Sequence, residues 1–148
     1  MELTSTDGIQ VSFQILGYEY PKINFGIDSN WLNLHLKISG KGLNIDEKDP
    51  SLQSSELNDL TRWFIKLLLG KLEPNQYWSP LEDTFTFEFG GRNENIFLIR
   101  FYPKQKFSTH TPCFCLEFLY SDKELSILIK SLRKYEKKYP LRDNQSFI

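Results

Sequence analysis

The sequence predicts an α+β fold: a mostly antiparallel sheet with two amphipathic helices packed on one face, in the order strands, helix, strands, helix. Three observations lead there. Short segments alternate apolar and polar residues with the period of two that a half-buried strand requires. Two longer segments place apolar residues at helical spacing instead. The strand-like segments come in hairpin-like runs rather than alternating singly with helices, which favours antiparallel pairing over a parallel βαβ arrangement. At 148 residues the chain is expected to form one domain, 1–148, able to bury a core without disulfide or metal staples. Twelve Phe and three Trp promise that this core is rich in rings.

The first strand is read from IQVSFQIL, where Ile9, Val11, Phe13 and Ile15 alternate with Gln10, Ser12 and Gln14. Ile23, Phe25 and Ile27 suggest a second, shorter one. The clearest is WLNLHLKISG, with Leu32, Leu34, Leu36 and Ile38 on one face and Asn33, His35 and Lys37 on the other, before Gly40 and Gly42 break or bend it. His35 falls on the polar face as a solvated histidine and is assigned no chemistry. Asp46, Glu47 and Asp49 then read as a polar loop.

Ser54 is the expected cap of the first helix, whose Glu56 suits the positive end of the dipole and whose stripe is Leu57, Leu60, Phe64, Leu67 and Leu68. Gly70 supplies its stop, and Trp63, beside the stripe, is expected to pack across the core. Phe85, Phe87 and Phe89 alternate with Thr84, Thr86 and Glu88, and the turn-rich GGRNEN leads into IFLIRFY as a hairpin. CFCLEF follows as a strand with Phe114, Leu116, Phe118 and Tyr120 inward. Ser121 and Glu124 form a capping box for the last helix, with Leu125, Leu128, Ile129, Leu132, Tyr135 and Tyr139 at helical spacing and Pro140 closing it.

The segment HTPCFCLEF holds both cysteines and one of the two histidines, so it is the place to look for metal or thiol chemistry. Strand spacing argues against both. One intervening residue splays the thiols, with Cα atoms about 6.5 Å apart, too awkward for a relaxed disulfide. A structural zinc site wants four ligands with turn-type spacing. No cofactor and no metal is therefore expected, and a small thiol- or metal-dependent enzyme centred on His110, Cys113 and Cys115 is the alternative reading. The acids Glu82 and Asp83, like those at Asp46 to Asp49, read as solvated loop residues, and GGRNEN lacks the spacing of a phosphate loop.

The net charge of −1 conceals an asymmetry: residues 1–94 carry 8 basic and 14 acidic side chains, a balance of −6, and residues 95–148 carry 10 and 5, a balance of +5. Such polarity arises first of all from independently solvated faces, and otherwise from an acidic docking surface for a basic partner. Arg133, Lys134, Lys137 and Lys138 interleave with Tyr135 and Tyr139, which leaves a nucleic-acid-binding accessory protein as a second alternative, although cations also complement a helix C-terminus. No window approaches the roughly 18 apolar residues of a membrane span, and the start MELTSTDGIQ has no basic-then-apolar leader, so the expected location is the cytoplasm.

Taken in order, DSNWLNLHLKISG, DPSLQSSELNDLTRWF, SPLEDTFTFEF, IFLIRFY and SDKELSILIKSLRKYEKKYPLR resemble the WapI family of bacterial immunity proteins over about residues 9 to 142. The most specific piece is DPSLQSSELNDLTRWF, where Asp49, Pro50, Leu52, Glu56, Leu57, Leu60 and Trp63 match the family's pattern. The resemblance implies a cytoplasmic antidote without catalytic residues that binds the C-terminal domain of a polymorphic toxin of contact-dependent growth inhibition, typically a nuclease acting on tRNA. A nuclease holds phosphates and tends to be basic, so the candidate partner-binding residues are the acids Asp46, Glu47, Asp49, Glu56, Asp59, Glu82, Asp83, Glu88 and Glu94, with Tyr77 and Trp78 as exposed aromatic anchors. Glu56 serves the helix dipole as readily as an interface.

Overall fold

The computed structural model describes residues 1–23, 25–74, 76–82, 84–91, 95–102 and 113–142. It is α+β with antiparallel strands and two helices in the expected order, but the strands divide into two sheets. The first comprises β1 (Glu2–Thr4), β2 (Gln10–Tyr18), β3 (Trp31–Gly40) and β4 (Leu43–Gln53), paired in chain order. After α1 (Ser54–Leu68) come β5 (Tyr77–Trp78), β6 (Phe85–Phe89), β7 (Ile96–Phe101) and β8 (Phe114–Leu119), again in chain order, and then α2 (Asp122–Lys138). Every pairing is antiparallel. Among the described residues no helix is long and apolar enough to cross a membrane.

Both sheets turn their apolar faces toward one shared core. Phe13 of β2 meets Phe85 and Phe87 of β6 at ring-centroid distances of 5.3 and 6.0 Å, and Phe64 of α1 lies edge-on to Phe87 and Phe97. Leu57, Leu60 and Leu67 of α1 and Leu125, Leu128 and Leu132 of α2 bury their stripes in the same core. Trp63 is buried as expected, although its indole N–H finds no hydrogen-bond partner among the described residues.

The β3–β4 turn shows how local chemistry decides pairing. Gly40 pairs with Leu43, leaving Lys41 (φ 48°) and Gly42 (φ 81°) as a two-residue loop whose positive φ values match the twist of the flanking strands. The glycines thus turn the chain straight back. The consequence corrects the reading of Asp46, Glu47 and Asp49, which belong to β4 rather than to a loop. An edge strand tolerates charges and the donor-less Pro50, so LNIDEKDPSLQ lacks the apolar alternation that marks a central strand.

Two further expectations change. The strand suggested by Ile23, Phe25 and Ile27 does not form: the chain bends there, leaves Ile23 and Phe25 exposed and enters a 3-10 turn at Ile27–Asn30. Pro21 and Gly26 (φ 84°) punctuate that segment, and apolar spacing without a partner strand does not make a strand. The N-cap of α1 is Gln53, one residue before Ser54, with the Gln53 N–H donating to Glu56 Oε2 at 2.7 Å. Ser54 is buried instead, its Oγ facing the Asn30 carbonyl. At α2 the expected capping box is present, with the Glu124 N–H donating to Ser121 Oγ at 3.1 Å.

Candidate partner-binding surface

Strand alternation splits the three acids of β4. Asp46 lies opposite Lys37 on the solvent face of the first sheet and reaches diagonally to His35, with Nε2 and Oδ1 2.5 Å apart. His35 is therefore a paired side chain only 12% exposed, not the solvated residue that its polar-face position suggested, and its hydrogen bond holds the Asp46 carboxyl below the usual carboxylate range. Glu47 and Asp49 lie opposite Leu36 and Leu34, on the core-facing side, half-buried at the sheet edge beside Thr84 and Phe85. One run of sequence thus serves two opposite faces.

Glu56 is a bracket between two elements. Besides capping α1, its Oε1 accepts from the Leu81 N–H at 2.5 Å, fastening the β5–β6 connection to the helix start. Burial pushes its carboxyl pKa up, the two backbone N–H groups pull the other way, and Asp59 and Glu82 add a further upward push. These three acids share one field, with Asp59 and Glu82 exposed, and Leu81, held by Glu56, is 70% exposed. Asp59 also faces Arg62 at 3.5 Å on the same helix.

The raised value has a definite sign. A carboxyl that holds its proton more tightly in the folded chain contributes stability that is full below its unfolded pKa and lost as pH rises through the folded one. Urea unfolding between about pH 4 and pH 7 should therefore show the parent's advantage over Glu56→Gln shrinking as pH rises. A constant difference across that range would contradict this.

At β5 the two anchors part company. Tyr77 points outward at 67% exposure, whereas Trp78 is 7% exposed, its ring 5.9 and 5.7 Å from those of Phe85 and Phe87. Trp78 is thus a core residue, because neighbours in a strand face opposite ways. Glu88 lies on the Tyr77 side and receives Arg100 on both oxygens, Nε at 3.0 Å and a terminal nitrogen at 3.5 Å. Asp83 and Glu94 lie outside the described residues.

Cys113 and Cys115 are exposed, while Leu116 and Phe118 are buried, as the strand period requires. Partial burial of its sulfur pushes the Cys115 thiol up, with Arg100 only partly offsetting this. A thiol nucleophile needs the opposite shift. His110 lies outside the described residues, and among those described no three His, Cys, Asp or Glu side chains converge as a metal would require. On α2, Tyr139 is buried and Tyr135 half-buried, so the tyrosines interleaved with the lysines do not offer an open stacking platform for bases.

The periodicity did not single out the solvent face of the second sheet, where Tyr77, Glu88, Leu98 and Glu117 form one row across four strands and Arg100 with Cys115 the next. Alternation marks those positions as a second face. Whether a helix covers it is decided by packing.

Residues 2–140 match the family described as the immunity protein WapI-like family. No curated protein and no solved structure matches the chain. Within DPSLQSSELNDLTRWF, the residues that carried the resemblance are those that build the junction between β4, α1 and the β5–β6 connection: Leu52, Leu57, Leu60 and Trp63 are buried and Glu56 fastens the three together. With nearly its whole length matched and that junction formed, the chain belongs to the WapI-like family of immunity proteins.

Proposed function

We propose that this chain neutralises a cognate toxin domain, a nuclease acting on tRNA, by binding it in the cytoplasm, with no catalytic step of its own. The observation that carries the reading is the family match over residues 2–140. The balance of −6 over residues 1–94 supports a basic partner, since complementary charge steers association and a bound acidic surface competes with the phosphates of the substrate. Asp59 and Glu82, exposed near Glu56, and the exposed Tyr77 remain the best-placed members of the candidate set. Asp46 contributes from a different face, and Glu56 acts by holding the connection that displays Leu81 and Glu82.

The test is titration calorimetry of the full chain with the toxin C-terminal domain encoded immediately upstream, alongside tRNA cleavage by that domain. The expected dissociation constant is on the order of nanomolar, weakening with added salt, and cleavage should stop at one equivalent. Reversing Asp59 and Glu82 to lysine should slow association by about 10-fold at low salt. No binding heat at low salt, or cleavage that persists at saturating antidote, would overturn the reading.

A further inference from the structure

We infer that the solvent face of the second sheet, rather than that of the first, is the surface that seats the basic toxin domain; this rests on the neutralisation proposed above. The two outer faces differ in kind. That of the first sheet is lined by Glu2, Ser12, Gln14, His35, Lys37 and Ser39, all polar, with Leu16 its exposed apolar residue next along β2. That of the second exposes Tyr77 at 67%, Leu119 at 53% and Tyr102 at 39%, and no described helix lies over it. Tyr77 and Tyr102 flank an open depression of about 530 Å³ floored by Thr86 and Glu88.

Its chemistry suits a protein partner of positive charge. Tyrosine and arginine are enriched among the residues that dominate interface energies, tyrosine because it offers a large contact area with few torsions to freeze. Here Arg100 is already held by both oxygens of Glu88, so it is pre-positioned rather than ordered on binding. Among the described residues of this face two carboxylates, Glu88 and Glu117, stand against one guanidinium, so that Glu117 is left to offer its charge outward. Cations of a phosphate-binding partner would meet carboxylates, and its apolar groups would meet Tyr77 and Leu119.

Cys113 and Cys115 are exposed on this face and serve as built-in reporters. The experiment follows N-ethylmaleimide modification of both thiols by mass spectrometry, with and without an inactivated form of the upstream-encoded toxin domain. Binding is then measured for Tyr77→Ala/Leu119→Ala and for Lys37→Glu on the first sheet's face. The toxin should slow alkylation by about 10-fold, the double variant should bind about 30-fold more weakly, as loss of a hot spot does, and Lys37→Glu should bind as the parent. If a complex forms while the thiols react at their free rate, or the double variant binds as the parent, the placement is wrong although the neutralisation stands. Thiol protection that rises with the chain's own concentration in the absence of toxin overturns it in favour of a second copy. Failure to form any complex overturns the neutralisation itself.

Discussion

Replacing Phe87 with alanine should destabilise the protein by about 4 kcal/mol, as for a large aromatic removed from a core that collapses only partly. Phe87 has no exposed surface, and it is where the layers meet. The rings of Phe13 from the first sheet, Trp63 and Phe64 from α1, and Trp78, Phe85 and Phe97 from the second sheet surround it at centroid distances of 5.4 to 6.3 Å. Truncation removes the transfer energy of the ring and also leaves a void that α1 and strands of both sheets would have to shift to fill. Since a domain of this size is stable by only about 5 to 15 kcal/mol, the variant should lose a large part of its margin. Phe25→Ala, at a ring 52% exposed, is the control and should change stability by less than about 0.5 kcal/mol. Urea unfolding monitored by tryptophan fluorescence measures both, and a Phe87→Ala loss below about 1 kcal/mol would contradict this account of the core.

Removing Arg142 should cost about 2 kcal/mol, because charge-assisted hydrogen bonds are worth more than neutral ones. Its guanidinium donates to the carbonyls of Tyr20 at 2.7 Å, Pro21 at 3.2 Å and Ile23, and stacks over the Tyr18 ring at 3.4 Å. Its backbone N–H donates to Oδ1 of the buried Asn30 at 2.7 Å, and the Tyr18 hydroxyl donates to the Pro140 carbonyl at 2.5 Å. The chain beyond α2 thereby straps down the bend between β2 and β3, the segment that the spacing of Ile23 and Phe25 suggested as a strand. Lysine at this position has one compact ammonium instead of a planar fork, so Arg142→Lys should recover less than half of the loss. Hydrogen exchange locates the effect: the amides of Glu19 and Ile23, both hydrogen-bonded in that bend, should lose protection in Arg142→Ala, while those of β3 keep theirs. Unchanged exchange in that bend would show that the strap does not hold it.

These two sites mark where sequence reading succeeds and where it stops. Alternation in β3, β6 and β8 identified the inward face of each, and helical spacing did the same for α1 and α2, because those patterns are properties of a few neighbouring residues. β4 was missed since an edge strand is protected by charge and proline, which look like a loop. The inward turn of Trp78 was missed because a two-residue strand has no period to read. The acids of Asp46 to Asp49 looked like one cluster, yet the sheet sends Asp46 outward to His35 and Glu47 and Asp49 toward the core side.

By itself, then, the order of residues determined the class of fold, which side of most strands and helices is apolar, the expectation of a thiol pair facing away from the core, and membership of a family of immunity proteins. Only the tertiary structure decided that the strands form two sheets instead of one, that Glu56 fastens Leu81 to the helix start, and that the Tyr77 face is left open while Trp78 is closed. The reason is physical. Periodicity is local and tells which face wants burial, whereas which surfaces meet, and which remain for a partner, depends on contacts between residues far apart in the chain.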